Sequence, residues 1–414
     1  MAATMFLDTG EMTMAAEGRL ASSTRRTLLA LFACGLALDT SIGTWLGARG
    51  TPSLTTSLAL GLPLLLPAVW HILSGRRLRR VPPAFLSMAA FVGWCALSTI
   101  WATQSDDSAL VTTLTRVQLL AVVWMGYQLA RSDRDLRALL AGYVLGCVAL
   151  VALAWRNDLL GVSDVWNRYA ADGFDPNDMA MYLALGIPMT GYLAGSAGPG
   201  RRMRLLYLAY VPLALSGVAL SGSRTGGIAA VLAVAALLFA MLLRSRAGWA
   251  LTVAALVSGG LVALPRLPSA SLDRILSLGA PGGEAAGLRE RDRIWQAGLE
   301  VLPEHLVGGV GAGGFGNAVL PYTGQQVLAH NTGLSVAVEL GLVGVALFFA
   351  AFAMVLWRAR RSGLDARILA WSILATCLVG TQALTWEHRK PLWLVLLVAM
   401  VAAELQPSDA PAHS

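Results

Sequence analysis

The sequence predicts an all-α protein that crosses a membrane about twelve times. Three observations predict it. Of 414 residues, 56% are hydrophobic and only 13% charged, with a mean hydropathy of +0.63; a soluble chain of this size would carry roughly 25% charged residues. Apolar runs long enough to cross a ~30 Å hydrocarbon core recur along nearly the whole chain. Arginines cluster in alternate short connections between those runs.

The runs fall near 27–46, 54–73, 84–101, 109–130, 136–155, 178–195, 203–221, 226–243, 248–264, 329–356, 366–385 and 391–405. The first is long and lacks a small-x-small cleavage site, so it reads as a retained span. The chain thus divides into an N-terminal tail over 1–26, nine spans within 27–264, a loop region with short helices over 265–328, three spans within 329–405, and a C-terminal tail over 406–414.

Orientation follows from the arginines. Arg76, Arg77, Arg79 and Arg80 lie between the second and third spans, Arg131, Arg134 and Arg137 between the fourth and fifth, and Arg201, Arg202 and Arg204 between the sixth and seventh. Arg244 and Arg246 follow the eighth span, and Arg358, Arg360 and Arg361 the tenth. The positive-inside rule puts these connections in the cytoplasm together with both termini. The opposite face then carries 156–177, the tight 221–226 turn, the 386–390 turn and the 265–328 segment, whose roughly 64 residues exceed an ordinary connection several-fold. A protein that concentrates its long, arginine-bearing, glycine-rich loops on one face is expected to work there.

The net charge of +7 is carried almost wholly by arginine, Lys390 being the one lysine. It gives no reason to expect a nucleic-acid partner. Cys34, Cys95, Cys147 and Cys377 fall inside apolar runs without paired spacing and read as small buried hydrophobes, not as a disulfide framework or a zinc site.

The residues that carry chemistry gather on the outer face. In Ser221-Gly222-Ser223-Arg224-Thr225-Gly226 one arginine sits among small residues. Small neighbours let a diphosphate approach the backbone, and a planar guanidinium can hold it by two hydrogen bonds; an interfacial arginine reaching for headgroups is the simpler alternative. Arg289, Arg291 and Arg293 lead into Ile294 to Leu299, which reads as a short amphipathic helix, or simply as a solvated helix start in which Asp292 pairs with a neighbour. Arg168 is followed by Gly173-Phe174-Asp175-Pro176-Asn177-Asp178, where Asp175 or Asn177 would cap a helix with Pro176 in its first turn. The glycines of 309–316 match a dinucleotide-binding pattern in form, but no strand precedes them, so a flexible turn is expected.

His330 and Asn331 open the tenth span. Glu339, nine residues on, falls on the opposite side of a helix and about 13 Å deeper, so it is not expected to orient His330. Asp39 and Arg116, inside predicted spans, are candidates for interior polar pairs.

Taken in order, Arg168 with Gly173 to Asn177, Ser221 to Arg224, Arg291 four residues before Trp295 with Pro303 and Gly309-Val310-Gly311 downstream, and His330-Asn331 at a helix mouth resemble the O-antigen ligase and polymerase superfamily over about residues 165–345. The chain differs in having Asp175 where many members have asparagine. The resemblance implies a multi-pass protein of the bacterial inner membrane, working at the periplasmic face on an undecaprenyl diphosphate-linked glycan, without metal or other cofactor. Ligase activity, with a sugar hydroxyl of lipid A-core as acceptor and inversion at the anomeric carbon, is favoured over polymerase because only one outer loop is large. Protein oligosaccharyltransferases of the superfamily carry extra C-terminal sequence. A lipid-linked glycan transporter would show repeated halves, and none is seen. The implied catalytic residues are His330, Arg224 and Arg291, with Arg293, Arg168, Asn331 and Asn177 binding substrate. His330 is either a general base or a cationic phosphate ligand.

The expected orientation is directly testable. A periplasm-active reporter fused after Ala285 is expected to be active and one fused after Arg79 silent; the opposite pattern would invert every functional assignment.

Overall fold

The computed structural model describes residues 2–45, 78–102, 108–164, 166–195, 200–267 and 284–405. The predicted span 54–73, Arg76 and Arg77, the tail 406–414 and residues 268–283 of the loop region lie outside the described residues. Among those described, the fold is all-helical. In chain order the helices are α1 (Ala2–Trp45), α2 (Pro83–Ser98), α3 (Ser108–Leu129), α4 (Asp133–Leu159), α5 (Pro176–Gly195), α6 (Arg201–Ser221), α7 (Arg224–Arg244), α8 (Arg246–Ala263), α9 (Glu284–Val301), α10 (Phe315–Thr323), α11 (Thr332–Ala359), α12 (Leu364–Thr381) and α13 (Lys390–Glu404). Eleven of the predicted spans coincide with helices, and among the described residues eight helices are long and apolar enough to cross a membrane. The count of twelve is therefore not reached on that criterion: α2 and α13, with 16 and 15 residues, and α5, with 20, fall outside the eight.

The layering follows from composition. In α5 every residue from Met179 to Ala194 is buried, and in α13 every residue from Pro391 to Ala403, so these helices, hydrophobic all round, form the centre. The others surround them and turn apolar side chains outward, such as Val231 at 70% and Leu145 at 62% exposure, as a lipid-facing surface requires. Close packing rests on small residues: a Cβ on Gly142 of α4 would stand 2.0 Å from the Ala30 carbonyl oxygen of α1. Gly142 and Gly146, four apart, thus form the seam that lets these two backbones touch.

The polar contacts sort the connections into two ends. At one end Arg25 pairs with Asp135 at 2.9 Å, Arg244 with Asp365 at 2.7 Å and Arg358 with Glu404 at 3.0 Å, while Arg79 donates to the Ala130 carbonyl. At the other end Ser41 donates to the Asp172 carbonyl, Arg156 pairs with Asp172, and Arg389 with Asp178. The arginine-rich short connections therefore share one end, and 160–175, 284–330 and 382–390 share the other.

Helix α11 is not continuous. Gly341, at φ 65° and ψ −169°, breaks it and frees carbonyls that lipid cannot satisfy. The segment after α9 repairs the break. Val310 N–H donates to the Val338 carbonyl and Gly311 N–H to that of Glu339, both at 2.9 Å, while Leu342 N–H donates to the Leu306 carbonyl at 2.8 Å. Trp94 of α2 adds its indole N–H to the Leu340 carbonyl. The expected flexible turn is instead a fixed plug: Gly309 and Gly311 adopt positive φ, and a Cβ on Gly309 would lie 2.2 Å from the Glu339 backbone.

Gly309→Val is expected to destabilise by about 2 kcal/mol or more, through strain at positive φ and loss of the contact. Gly93→Ala, where nothing lies within 4 Å of an added Cβ, is expected to be neutral. Thermal unfolding of detergent-solubilised protein reads the difference, and equal melting temperatures would refute it.

Candidate functional site

The entry to α11 is shaped by one hydrogen-bond network. Asn331 caps the helix, its side chain accepting from Leu334 N–H at 3.0 Å, so α11 starts at Thr332 and leaves His330 outside it. His330 sits at φ 48°, a conformation that costs a non-glycine residue of order 1 kcal/mol or more. It is held there because its N–H donates to the Thr385 hydroxyl at 3.0 Å and because Trp295 of α9 donates to the Ala329 carbonyl at 2.9 Å. Thr332 ties the same turn to 384–386, donating to the Leu384 carbonyl and accepting from Trp386 N–H.

Around His330 the charges converge. Arg291, half-buried on α9, is the charged neighbour that acts on it most strongly, followed by Asp175, Glu290 and Asp178. Burial, then the Arg291 charge, hold the imidazole below its ordinary value of 6.5, so the ring favours the neutral form. Burial likewise lowers Arg291, whose electrostatic neighbours are Asp175 and Arg168; a guanidinium remains charged regardless.

The remaining implied residues take varied places. Arg168 is paired with Asp164 at 2.7 Å, and Tyr169 N–H donates to the Leu220 carbonyl, which lays this loop against the end of α6 just before Arg224. Arg224 is the first residue of α7, behind a left-handed Gly222 and the N-cap Ser223, whose hydroxyl accepts from Gly226 N–H. Asp175 caps α5, accepting from the N–H groups of Asn177 and Asp178, with Asn177 in the first turn. Arg293 points elsewhere, donating to the Tyr322 carbonyl at 3.0 Å. Asn331 spends its side chain on its cap and on the Gln382 carbonyl. The structure thus brings together His330, Arg291, Arg168 and Asp175, and directs Arg293 away from them.

Next to this cluster, sharing Ala329 and Thr385 as a wall, lies a cavity of about 660 Å³. Phe32 and Leu36 of α1 and Leu119 and Val122 of α3 form its apolar side. Its polar side holds a buried ionic network. Arg116 of α3, 1% exposed, reaches Glu339 at 3.3 Å and Glu387 at 3.5 Å; Glu387 also accepts from Ser335 and meets the His388 ring. Glu339 accepts from Gly313 N–H at 2.9 Å, joining the network to the plug in α11. Asp39 pairs with Lys390. Arg116 and Asp39 thus each have partners, and neither is the other's.

Sequence reasoning passed over Thr385, Glu387, His388 and Arg389. The available signal was density: Glu387 to Lys390 are four consecutive ionisable residues in a short connection on the same face as the arginine motifs. Among the described residues no group of three or more His, Cys, Asp or Glu has the geometry to hold a metal ion.

Residues 209–349 match a family model described as O-Antigen ligase. No curated protein matches the chain. The matched segment runs from within α6 to within α11 and contains the Ser221–Gly226 turn, Arg291, the plug and His330, whereas Arg168, Asn177 and the 385–390 segment lie outside it. Residues 209–349, which carry Arg224, Arg291 and His330, are thus similar to the O-antigen ligase family.

Proposed function

We propose that this protein transfers a glycan from undecaprenyl diphosphate to a sugar hydroxyl of lipid A-core at the periplasmic face. The observation that carries the reading is the juxtaposition of His330 with Arg291: a neutral imidazole and a fixed cation at one helix mouth, beside a cavity large enough for a sugar. In the transfer the anomeric C–O bond breaks and its electron pair goes to the diphosphate. The acceptor oxygen bonds to the same carbon from the opposite side and gives up its proton. Arg291 and Arg224 stabilise the charge growing on the leaving diphosphate, each contributing about 2–4 kcal/mol as preorganised donors. His330 takes the proton, which its depressed basicity permits at neutral pH. Arg168, already neutralised by Asp164, orients the rim of the site.

The deciding experiment supplies purified protein with lipid-linked glycan and lipid A-core and follows attachment by gel shift. Glycan on lipid A-core is expected; longer lipid-linked glycan would mean a polymerase, and neither product would end the transferase reading.

If Arg224 and Arg291 act through planar two-point contact, lysine keeps the charge and loses the fork. Arg224→Lys and Arg291→Lys are each expected to lower kcat about 10²-fold in protein that still inserts. Near wild-type turnover in either would remove that arginine from the mechanism.

The pH dependence follows from the histidine. A base whose folded pKa is lowered keeps its proton-accepting form to a more acidic pH, so activity is expected to fall only as pH drops through a value below 6.5. Removing the neighbouring positive charge favours protonation, so Arg291→Gln is expected to raise the ring's titration midpoint. Histidine-selective NMR titration checks both; a midpoint above 6.5 in the wild type, or no upward move in the variant, would contradict the assignment.

A further inference from the structure

Beside Arg291 and His330, the cavity is lined by charges that balance. Three carboxylates line the cavity, Asp39, Glu339 and Glu387, against three cations, Arg116, Arg389 and Lys390. Such a balanced lining has no net attraction for an anionic diphosphate, which the cluster around Arg291 suits better. What the cavity offers instead is hydrogen-bonding capacity. Arg116 Nε and Nη1, Glu387 Oε2, Asp39 Oδ1 and Arg389 Nε are buried with no hydrogen-bond partner, and Arg116 and Glu387 are 1% and 2% exposed. Buried polar groups left unpaired are costly, and native proteins rarely keep several together without something to pair them.

The unpaired atoms include both donors and acceptors. A ligand that answers both kinds at once, without net charge, is a polyol, because each hydroxyl donates to a carboxylate while accepting from a guanidinium. His388 extends the set. Its Nδ1 lies 3.3 Å from Glu387 Oε1, which leaves Nε2 for a further hydroxyl.

We propose that this cavity is a subsite for an uncharged sugar, held by Glu387, His388 and Arg116 and set against the diphosphate-binding cluster across Thr385 and Ala329. The proposal deepens the transferase reading and rests on it. The diphosphate lies on the Arg291 side of that shared wall and the sugar on the Glu387 side; for a donor sugar the bond to be cleaved falls at the boundary, and for an acceptor sugar the bond to be formed does. The sugar is either the acceptor's or the first of the donor glycan, and the two make different experimental signatures.

The test measures binding of three probes to the full-length protein in detergent: undecaprenyl diphosphate bearing a glycan, undecaprenyl diphosphate alone, and lipid A-core. His388→Gln is the primary variant, since that ring is 30% exposed and tolerates replacement; Glu387→Gln is the second. Each is expected to weaken one sugar-bearing probe about fivefold or more while binding undecaprenyl diphosphate alone as the wild type does. Loss confined to lipid A-core assigns the acceptor sugar, and loss confined to the glycan-bearing carrier assigns the donor's. His388→Gln that binds all three probes with wild-type affinity, or that loses undecaprenyl diphosphate alone as strongly as the others, would overturn the subsite. A parallel transfer assay separates the two ideas. An inactive wild type with sugar-selective loss in the variants refutes the transferase and keeps the subsite, and an active wild type with unselective variants does the reverse.

Discussion

A membrane helix can be interrupted only if other protein groups satisfy the backbone that the interruption frees, because hydrocarbon supplies no hydrogen bonds. The break at Gly341 is the constraint on which the rest of this structure depends. Val338 and Glu339 carbonyls are met by the N–H groups of Val310 and Gly311, and the Leu340 carbonyl by Trp94. The segment that follows α9 is thereby held against α11 at fixed register. α9 carries Arg291 and α11 begins just after His330, and Trp295 of α9, donating to the Ala329 carbonyl, ties the two at that end as the plug ties them at the break. The functional arrangement and the repair of the helix are one piece of architecture.

A second constraint is electrostatic. Arg116 is buried among apolar helices, where an uncompensated cation would cost several kcal/mol. Glu339 from α11 and Glu387 from the connection before α13 compensate it, so three separate parts of the chain meet at one guanidinium. Glu339 also receives Gly313 N–H, which links the ionic network to the plug. The result is a site with two sides: the Arg291 guanidinium beside the His330 imidazole on one, and a buried ionic network around Glu387 and His388 on the other. A transferase that must hold an anionic leaving group and an uncharged sugar at adjacent positions has use for both.

The elements that the sequence made legible are those whose signal is local. Spans showed because hydrocarbon demands a run of apolar residues, and the two ends separated because arginines punctuate alternate connections. A cap at Asp-Pro-Asn was readable, with Asp175 and Asn177 both eligible, and the hydrogen bonds from Asn177 and Asp178 N–H assign it to Asp175. The start of α11 was not: Asn331 could be either inside the helix or its cap, and only the hydrogen bond from Leu334 N–H decides it. The glycines of 309–313 signalled backbone freedom but not its use, since whether the space beside a glycine is open or filled by Glu339 depends on a segment some thirty residues away.

The sequence by itself determined that this chain is an all-α membrane protein, which of its loops share a face, and which short motifs resemble the O-antigen ligase superfamily. These follow from solvent preference and from residue order, both properties of the linear chain. The tertiary structure alone decided that Arg168 is neutralised by Asp164, that Arg293 turns away, that Arg291 is a charged neighbour of His330, and that Glu387 and His388 line a cavity. The reason is that a side chain's partner is chosen by packing across helices: Arg116 lies 223 and 271 residues from the carboxylates that hold it. No periodicity or motif along the chain encodes a distance of that kind.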